Sequence, residues 1–233
     1  MTATLKVENL IVERQGSAVA RDISFHAEPG KVLALLGPNG GGKTSLLEAL
    51  AGVIPFAGGR ATYDGEDLAK LSRTRRARAG LVLVEQGRTV FDSLTVAENL
   101  AVTGTAKPED CFELFPELET RWTSASGLLS GGEQQMLVLA RALACRPKVL
   151  MIDEMSLGLA PVIVRRLLPK VRALADSGLA VVLVEQFAAL ALEIADEAVV
   201  MASGRETFSG PASTLAGDPA LLHRAYLGTS DRG

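Results

Sequence analysis

Four short stretches of almost unbroken apolar residues, Val32 to Leu36, Leu81 to Val84, Val149 to Ile152 and Ala180 to Val184, constrain what this chain can fold into more than any other feature. Each is too short for a helix and too evenly apolar for a strand with one wet face. Each therefore reads as a strand buried on both sides within a parallel sheet. Helical stretches lie between them, including Ser45 to Ala51 closed by Gly52, and Val162 to Ala175 ahead of Gly178. Alternation of this kind specifies an α/β core. The runs end at Gly37, at Glu85 with Gln86, at Asp153 with Glu154, and at Glu185 with Gln186. Open parallel sheets bind ligands at the carboxyl ends of their strands, so these polar residues are expected to gather along one edge as a site.

Outside the core, Leu5 to Leu10, Ile23 to Ala27 and Gly59 to Asp64 read as antiparallel strands with Gly58, Gly59 and Gly65 as turn residues. They suggest a small β lobe. The region from about 89 to 147 reads mostly as helix and loop, a second, helical lobe. No repeat, low-complexity tract or long linker interrupts residues 1 to 233, so one compact unit is expected.

Composition narrows the function. A hydrophobic content of 48% excludes overall disorder, and 24 Lys plus Arg against 27 Asp plus Glu leave no long-range pull toward nucleic acid or anionic lipid. Any nucleotide must be held by a local site. The basic run Arg73, Arg75, Arg76 and Arg78 lacks nearby aromatics and reads as a solvated helix face, not a nucleic-acid interface. Cys111 and Cys145 stand apart, which argues against zinc and fits ordinary core thiols in a reducing compartment. Phe115 and Trp122 read as packing residues. The amino terminus has no basic start followed by an apolar stretch, and is expected to stay inside the cell. The longest apolar runs cover about a third of the roughly 20 residues a membrane span requires, so contact with a membrane must come through partners.

Gly37-Pro38-Asn39-Gly40-Gly41-Gly42-Lys43-Thr44 follows one buried strand and opens a helix. That is the context of a phosphate-binding P-loop, and it makes the core a P-loop (RecA-like) parallel sheet. Glycines allow successive backbone N–H groups to curl around phosphate oxygens, and the helix amino terminus, with Ser45, adds positive potential. Lys43 should reach the β- and γ-phosphates and the Thr44 hydroxyl should ligate Mg2+. Asp153, at the end of another strand, is the expected metal carboxylate. Glu154 is next to it, and two adjacent carboxylates at a strand end are costly unless a cation shares them. The expected division is Asp153 for Mg2+ and Glu154 for polarising the attacking water on ATP.

A second motif is Leu129-Ser130-Gly131-Gly132-Glu133-Gln134-Gln135. Ser130 and Glu133 have capping-box spacing, and Met136, Leu139, Ala140, Leu143 and Ala144 give the following helix one apolar face before Pro147. Two glycines inside a first helical turn cost about 1 to 2 kcal/mol relative to alanines, and their bare N–H groups suit a phosphate.

With LSGG joined to the P-loop, the chain resembles the ABC ATPase family. The resemblance implies a MgATP-hydrolysing subunit in a head-to-tail dimer with a second, homologous ATPase. There Ser130, Gly131, Gly132 and Glu133 face the ATP held by the partner's P-loop. It makes Gln86 the Q-loop glutamine, joining the metal site to the helical lobe and to integral membrane permeases. Gln186 stands where most of the family has a histidine that contacts the γ-phosphate. Successive residues of an extended chain point to opposite sides, so Glu185 and Gln186 are not both expected to face the nucleotide. The ELFPEL stretch at 113 to 118, the SGGEQQML run, Asp153 to Pro161 and Val184-Glu185-Gln186 look like the smaller ATPase of branched-chain amino acid importers. Such importers work with a periplasmic or extracellular solute-binding protein and place the ATPase at the cytoplasmic face of the membrane. Relatives serving urea or aromatic acids look much the same. A non-transport ABC ATPase usually adds coiled coils or a second cassette, a small-molecule kinase would leave LSGG unexplained, and a nucleotide-binding scaffold would not need Glu154.

Three places along the chain depart from the family pattern. Glu13, Arg14 and Gln15 occupy the stretch that usually holds an adenine-stacking tyrosine, so the Arg14 plane is the expected substitute. Met155 replaces the usual proline, and Ala160 falls at the common aspartate of the D-loop.

Overall fold

The computed structural model describes residues 5–103 and 111–228. Strands β1 (Leu5–Arg14) and β2 (Ser17–Ala27) form a hairpin, followed by β3 (Val32–Leu36) and helix α1 (Lys43–Ala51). Next come β4 (Gly58–Tyr63), β5 (Glu66–Asp67), α2 (Arg73–Ala79), β6 (Leu81–Val84) and α3 (Val96–Ala101). After α4 (Gly131–Ala144) the chain runs through β7 (Val149–Asp153), α5 (Pro161–Asp176), β8 (Ala180–Val184) and α6 (Ala188–Leu192). It ends with β9 (Glu197–Ala202), β10 (Arg205–Pro211), α7 (Ala212–Gly217) and α8 (Pro219–Leu227).

Among the described residues all ten strands join one sheet in the order β5-β4-β1-β2-β10-β9-β3-β8-β7-β6. The run β9-β3-β8-β7-β6 is parallel throughout, and β1, β2, β4 and β5 pair antiparallel. The expected α/β core with its antiparallel β lobe is therefore present. Apart from Asp153 at the end of β7 and Glu197 at the start of β9, the core strands are apolar at every position because the sheet is packed on both faces. Val32, Ala34 and Leu36 join one hydrophobic cluster with α4 and α5, whereas Leu33 and Leu35 join a second cluster with α1, β1 and β2. Leu35→Ala would open a hole under α1 at a fully buried position and cost about 2 to 5 kcal/mol.

Register decides where the strand ends fall. Leu35 pairs with Val184, Asp153 with Val184, and Ile152 with Val84. Gly37, Glu85 with Gln86, Asp153 with Glu154, and Glu185 with Gln186 thus leave the sheet along one edge.

Several expectations need correction. Gly58 and Gly59 do not turn the chain but begin β4, and the tight turn to β5 is Asp64-Gly65, both at positive φ. β1 and β2 extend well beyond the alternating cores read from sequence, because register shifts along β1 let the pairing continue past breaks in the alternation. The β9–β10 hairpin, closed by Ser203-Gly204, lay outside the four runs. β10 is mixed in burial, and β9 is apolar only after Glu197. Arg76 is not solvated. It is 5% exposed and donates from Nη1 to the Ala49 and Leu50 carbonyls at 2.5 and 2.9 Å, closing the last turn of α1, with Phe56 beneath it. Cys145 is exposed, so only Cys111 is a core residue. Phe115 is fully buried and Trp122 packs edge-on against Phe112, as packing residues do. The segment from 89 to 147 contains α3, α4 and 3-10 turns among the described residues.

Candidate functional site

The loop after β3 makes a cavity of about 450 Å³, lined by Asn39 to Ser45 together with Val19, Gln86, Glu154, Leu157 and Gln186. Gly42 carries φ 94°, and a Cβ there would stand 2.1 Å from the Val19 carbonyl oxygen, so only glycine lets the loop turn into α1 against β2. Lys43 begins α1, is 4% exposed, and donates from Nζ to the Gly37 and Pro38 carbonyls at 2.8 and 2.9 Å. Burial pushes its pKa down, while Glu154 and Asp153 act the other way. The ammonium is thus aimed back over its own loop, beside the backbone N–H groups that could hold phosphate.

Asp153 is 2% exposed at the end of β7, with Lys43 and the Thr44 hydroxyl close to it. Burial pushes its pKa up, the Thr44 hydroxyl counteracts part of that, and the neighbouring Glu154 adds to it. Its Oδ1 is buried with no hydrogen-bond partner. An uncompensated buried carboxylate oxygen beside a hydroxyl is a donor set that suits a hard divalent cation, so the residues present fit Mg2+. Glu154 has left-handed backbone, φ 47°, and accepts at Oε2 from Gln86 Nε2 at 2.9 Å. The Q-loop position therefore touches the carboxylate expected to handle water. The amide oxygen of Gln86 remains as the atom available to a cation.

The two residues after β8 separate, as the strand geometry requires. Gln186 is exposed and lines the cavity. Glu185 is 1% exposed and turns away to Ser156, accepting from its N–H at 3.2 Å and from its hydroxyl. Burial raises the Glu185 carboxyl to about 6, opposed by those hydrogen bonds. Ser156 gave no signal in the sequence because its partner is 29 positions away. Val19 likewise reaches the cavity only because β2 lies beside the loop.

Arg14 ends β1 and is tied to α1: Nε donates to Ser45 Oγ at 2.9 Å and Nη2 pairs with Glu48. It sits next to the loop without lining the cavity. Pro38 and Gly37 belong to the loop itself, Gly37 buried and Pro38 exposed.

The signature peptide is built as its spacing implies and lies outside the cavity lining. Ser130 and Glu133 form a reciprocal capping box, with Ser130 N–H to Glu133 Oε2 at 2.8 Å and Glu133 N–H to Ser130 Oγ at 3.3 Å. Arg121 also pairs with Glu133 at 3.0 Å. Gly132 has a packing role that sequence did not disclose, whereas Gly131 faces the movable end of a long side chain. A Cβ on Gly131 would fall 2.0 Å from Arg88 Nη1, and one on Gly132 2.8 Å from Ile163 Cγ2. Just before them Leu128 is 84% exposed, and Leu157, Val162 and Phe187 are exposed as well. Ala160 is the N-cap of α5 and supplies no side-chain cap, which an aspartate there could do for about 1 kcal/mol.

Residues 20–156 match the ABC transporter family. The chain is 40% identical over 215 residues to the high-affinity branched-chain amino acid transport ATP-binding protein BraG of Pseudomonas aeruginosa, covering 89% of this chain and 92% of that one. It is 34% identical to the probable branched-chain amino acid transport ATP-binding protein LivF of Archaeoglobus fulgidus, over 83% and 86%. It is 30% identical to the lipopolysaccharide export system ATP-binding protein LptB of Escherichia coli K12, over 99% of each. Among solved structures, an ATP-binding cassette of an ABC transporter in its ADP conformation superposes with a TM-score of 0.85 at 23% identity, over 98% of this chain and 100% of that one. That last likeness speaks to the fold.

Proposed function

The chain belongs to the ABC transporter family as an ATP-hydrolysing subunit, and from that premise we propose that it powers import of branched-chain amino acids. The observation that carries the solute class is the 40% identity to a branched-chain amino acid ATPase along nearly the whole of both chains. No described helix is long and apolar enough to cross a membrane. In line with its transport relatives, the proposal seats the subunit at the cytoplasmic face on integral permease subunits, paired with a second, homologous ATPase and served indirectly by a solute-binding protein outside.

In this reading the backbone N–H groups of residues 39 to 45 hold the phosphates of ATP and Lys43 turns its ammonium from Gly37 and Pro38 to the β- and γ-phosphates. Asp153, Thr44 and the amide oxygen of Gln86 would hold Mg2+, which supplies charge neutralisation on those phosphates. Glu154 orients the attacking water and takes its proton, and its carboxylate is aimed by the bond from Gln86. Gln186, on the cavity wall, donates its amide to the γ-phosphate. Arg14, held beside the loop by Ser45 and Glu48, stacks on adenine. Ser130, Gly131, Gly132 and Glu133 complete the partner's site in a head-to-tail dimer. The support for that is their position outside this chain's own cavity on a surface with exposed Leu128.

A second reading follows from the export-system relative, which is matched end to end at lower identity. One experiment separates them. The subunit is co-purified with its permeases, placed in lipid vesicles, and its ATP hydrolysis is followed as solute-loaded binding protein is added. Stimulation by leucine, isoleucine or valine supports the proposal. Stimulation by urea or aromatic acids only moves it to those solutes. Hydrolysis that responds to lipopolysaccharide and to no binding protein overturns import.

A further inference from the structure

The segment between β7 and α5 carries Glu154 in a left-handed backbone conformation that a glutamate adopts only when its surroundings enforce it. Two anchors do so, both from the end of β8. The Glu154 N–H donates to the Val184 carbonyl at 3.0 Å, and two residues later Ser156 gives both its N–H and its hydroxyl to the Glu185 carboxylate. Ser156 is 3% exposed and Glu185 1%. Among the described residues no lysine, arginine or histidine pairs with Glu185, and the charged group acting on it is Glu154. A buried carboxylate with no cation is expensive, and apart from the neighbouring Gln186 N–H the partner that holds this one is Ser156, in the loop behind the water-handling residue. Within the same loop Leu157 N–H returns to the Glu154 carbonyl and Leu159 N–H to that of Ser156, so fixing Ser156 fixes residues 154 to 159 together.

We propose that Glu185 is the positioning residue for Glu154, acting through Ser156. It rests on the reading of Glu154 as the general base. The adjacent pair after β8 then divides two tasks: Gln186 lines the nucleotide cavity, and Glu185, pointing the other way, holds the loop that carries the base and leads to exposed Leu157.

Hydrogen–deuterium exchange of the intact chain reads the position without any turnover. Glu185→Ala removes the acceptor of the Ser156 N–H, and exchange at Ser156 and Leu157 should rise about tenfold or more. Glu185→Gln should leave it near wild type, because the amide oxygen can accept from Ser156 N–H while the amide nitrogen donates to its hydroxyl. In the assembled transporter Glu185→Ala should lower kcat about 10- to 100-fold with KM for ATP within about twofold, since the base is misplaced while the phosphate loop is intact. Glu185→Gln should restore most of the rate, and Ser156→Ala combined with Glu185→Ala should be little worse than Glu185→Ala alone. Unchanged Ser156 exchange in Glu185→Ala overturns the proposal. So does a Glu185→Gln variant as slow as Glu185→Ala, which would assign the effect to charge. Normal hydrolysis by Glu154→Gln defeats the general-base reading instead, and Ser156 exchange still decides whether Glu185 holds the loop.

Discussion

The phosphate loop and the signature helix are both glycine-rich helix starts, yet the structure treats them differently. The phosphate loop is enclosed: Lys43 is buried, Gly42 presses on β2, and three further strand ends bring Gln86, Glu154 and Gln186 to its cavity. The signature helix is locally finished, with a reciprocal capping box and Gly131 tucked under Arg88, but it lies outside that cavity's lining and its approach is an exposed leucine. One is a pocket, the other a prepared surface. Binding should therefore be a property of one chain and turnover a property of two.

The largest expected effect falls on chemistry inside the pocket. Glu154→Gln should lower turnover by about 10²- to 10⁴-fold while MgATP binding is retained, measured by single-turnover hydrolysis beside fluorescent-nucleotide titration. Near-normal single turnover would remove Glu154 from its role. The contrast between the two glycine-rich starts is tested directly by Lys43→Ala and Gly131→Ala. In the isolated chain Lys43→Ala should weaken MgATP binding about 100-fold, whereas Gly131→Ala should leave it within about twofold and slow only the assembled transporter. Equal loss of binding from both would mean that the signature peptide serves its own chain's nucleotide.

Gln186→Ala should slow the assembled transporter by about 10- to 100-fold with little change in ATP binding, and Gln186→His should keep activity while adding a pH dependence between about pH 6 and 7. Wild-type rates in Gln186→Ala would take the γ-phosphate contact away from the pocket wall. A smaller effect concerns stability. The folded Glu185 carboxyl titrates at about 6 against an unfolded value of 4.5, a raised pKa. Its protonated form is favoured by folding, so its contribution is full below pH 4.5 and is lost as pH rises through 6. Urea melts should show Glu185→Gln gaining on wild type by about 2 kcal/mol between those limits. An unchanged difference would mean that Glu185 is not buried as a charge at neutral pH. The smallest effect is base choice: GTP should compete within about tenfold of ATP, because an arginine tied to α1 offers less apolar contact than a tyrosine ring. Strong adenine selectivity would assign the base contact to another residue.

Much of this was legible in the chain itself. The four apolar runs are strands at the expected places, the P-loop opens α1, and Ser130 with Glu133 caps the start of α4, because each depends on residues within a few positions of one another. Gln86 beside Glu154 and Gln186 on the cavity wall agree with what the strand ends implied. What escaped was long-range. Nothing in the local sequence separates Arg76 from Arg73, Arg75 and Arg78, because its burial comes from α2 lying against the last turn of α1. Gly132 is costly by helix propensity, and its reason is Ile163, distant in sequence and packed above it.

Local chemistry therefore determined the fold class, the phosphate loop, the paired carboxylates and the capped signature helix, since periodicity, glycine spacing and capping are written in adjacent residues. Resemblance pointed to Gln186 as the neighbour that meets the nucleotide cavity, and tertiary structure alone decided that Glu185 is bound to Ser156. The alternation of a strand tells that the two must part. Only the packing of the β7–α5 loop against the end of β8 settles which side is interior, and burial then gives Glu185 and Gln186 opposite environments.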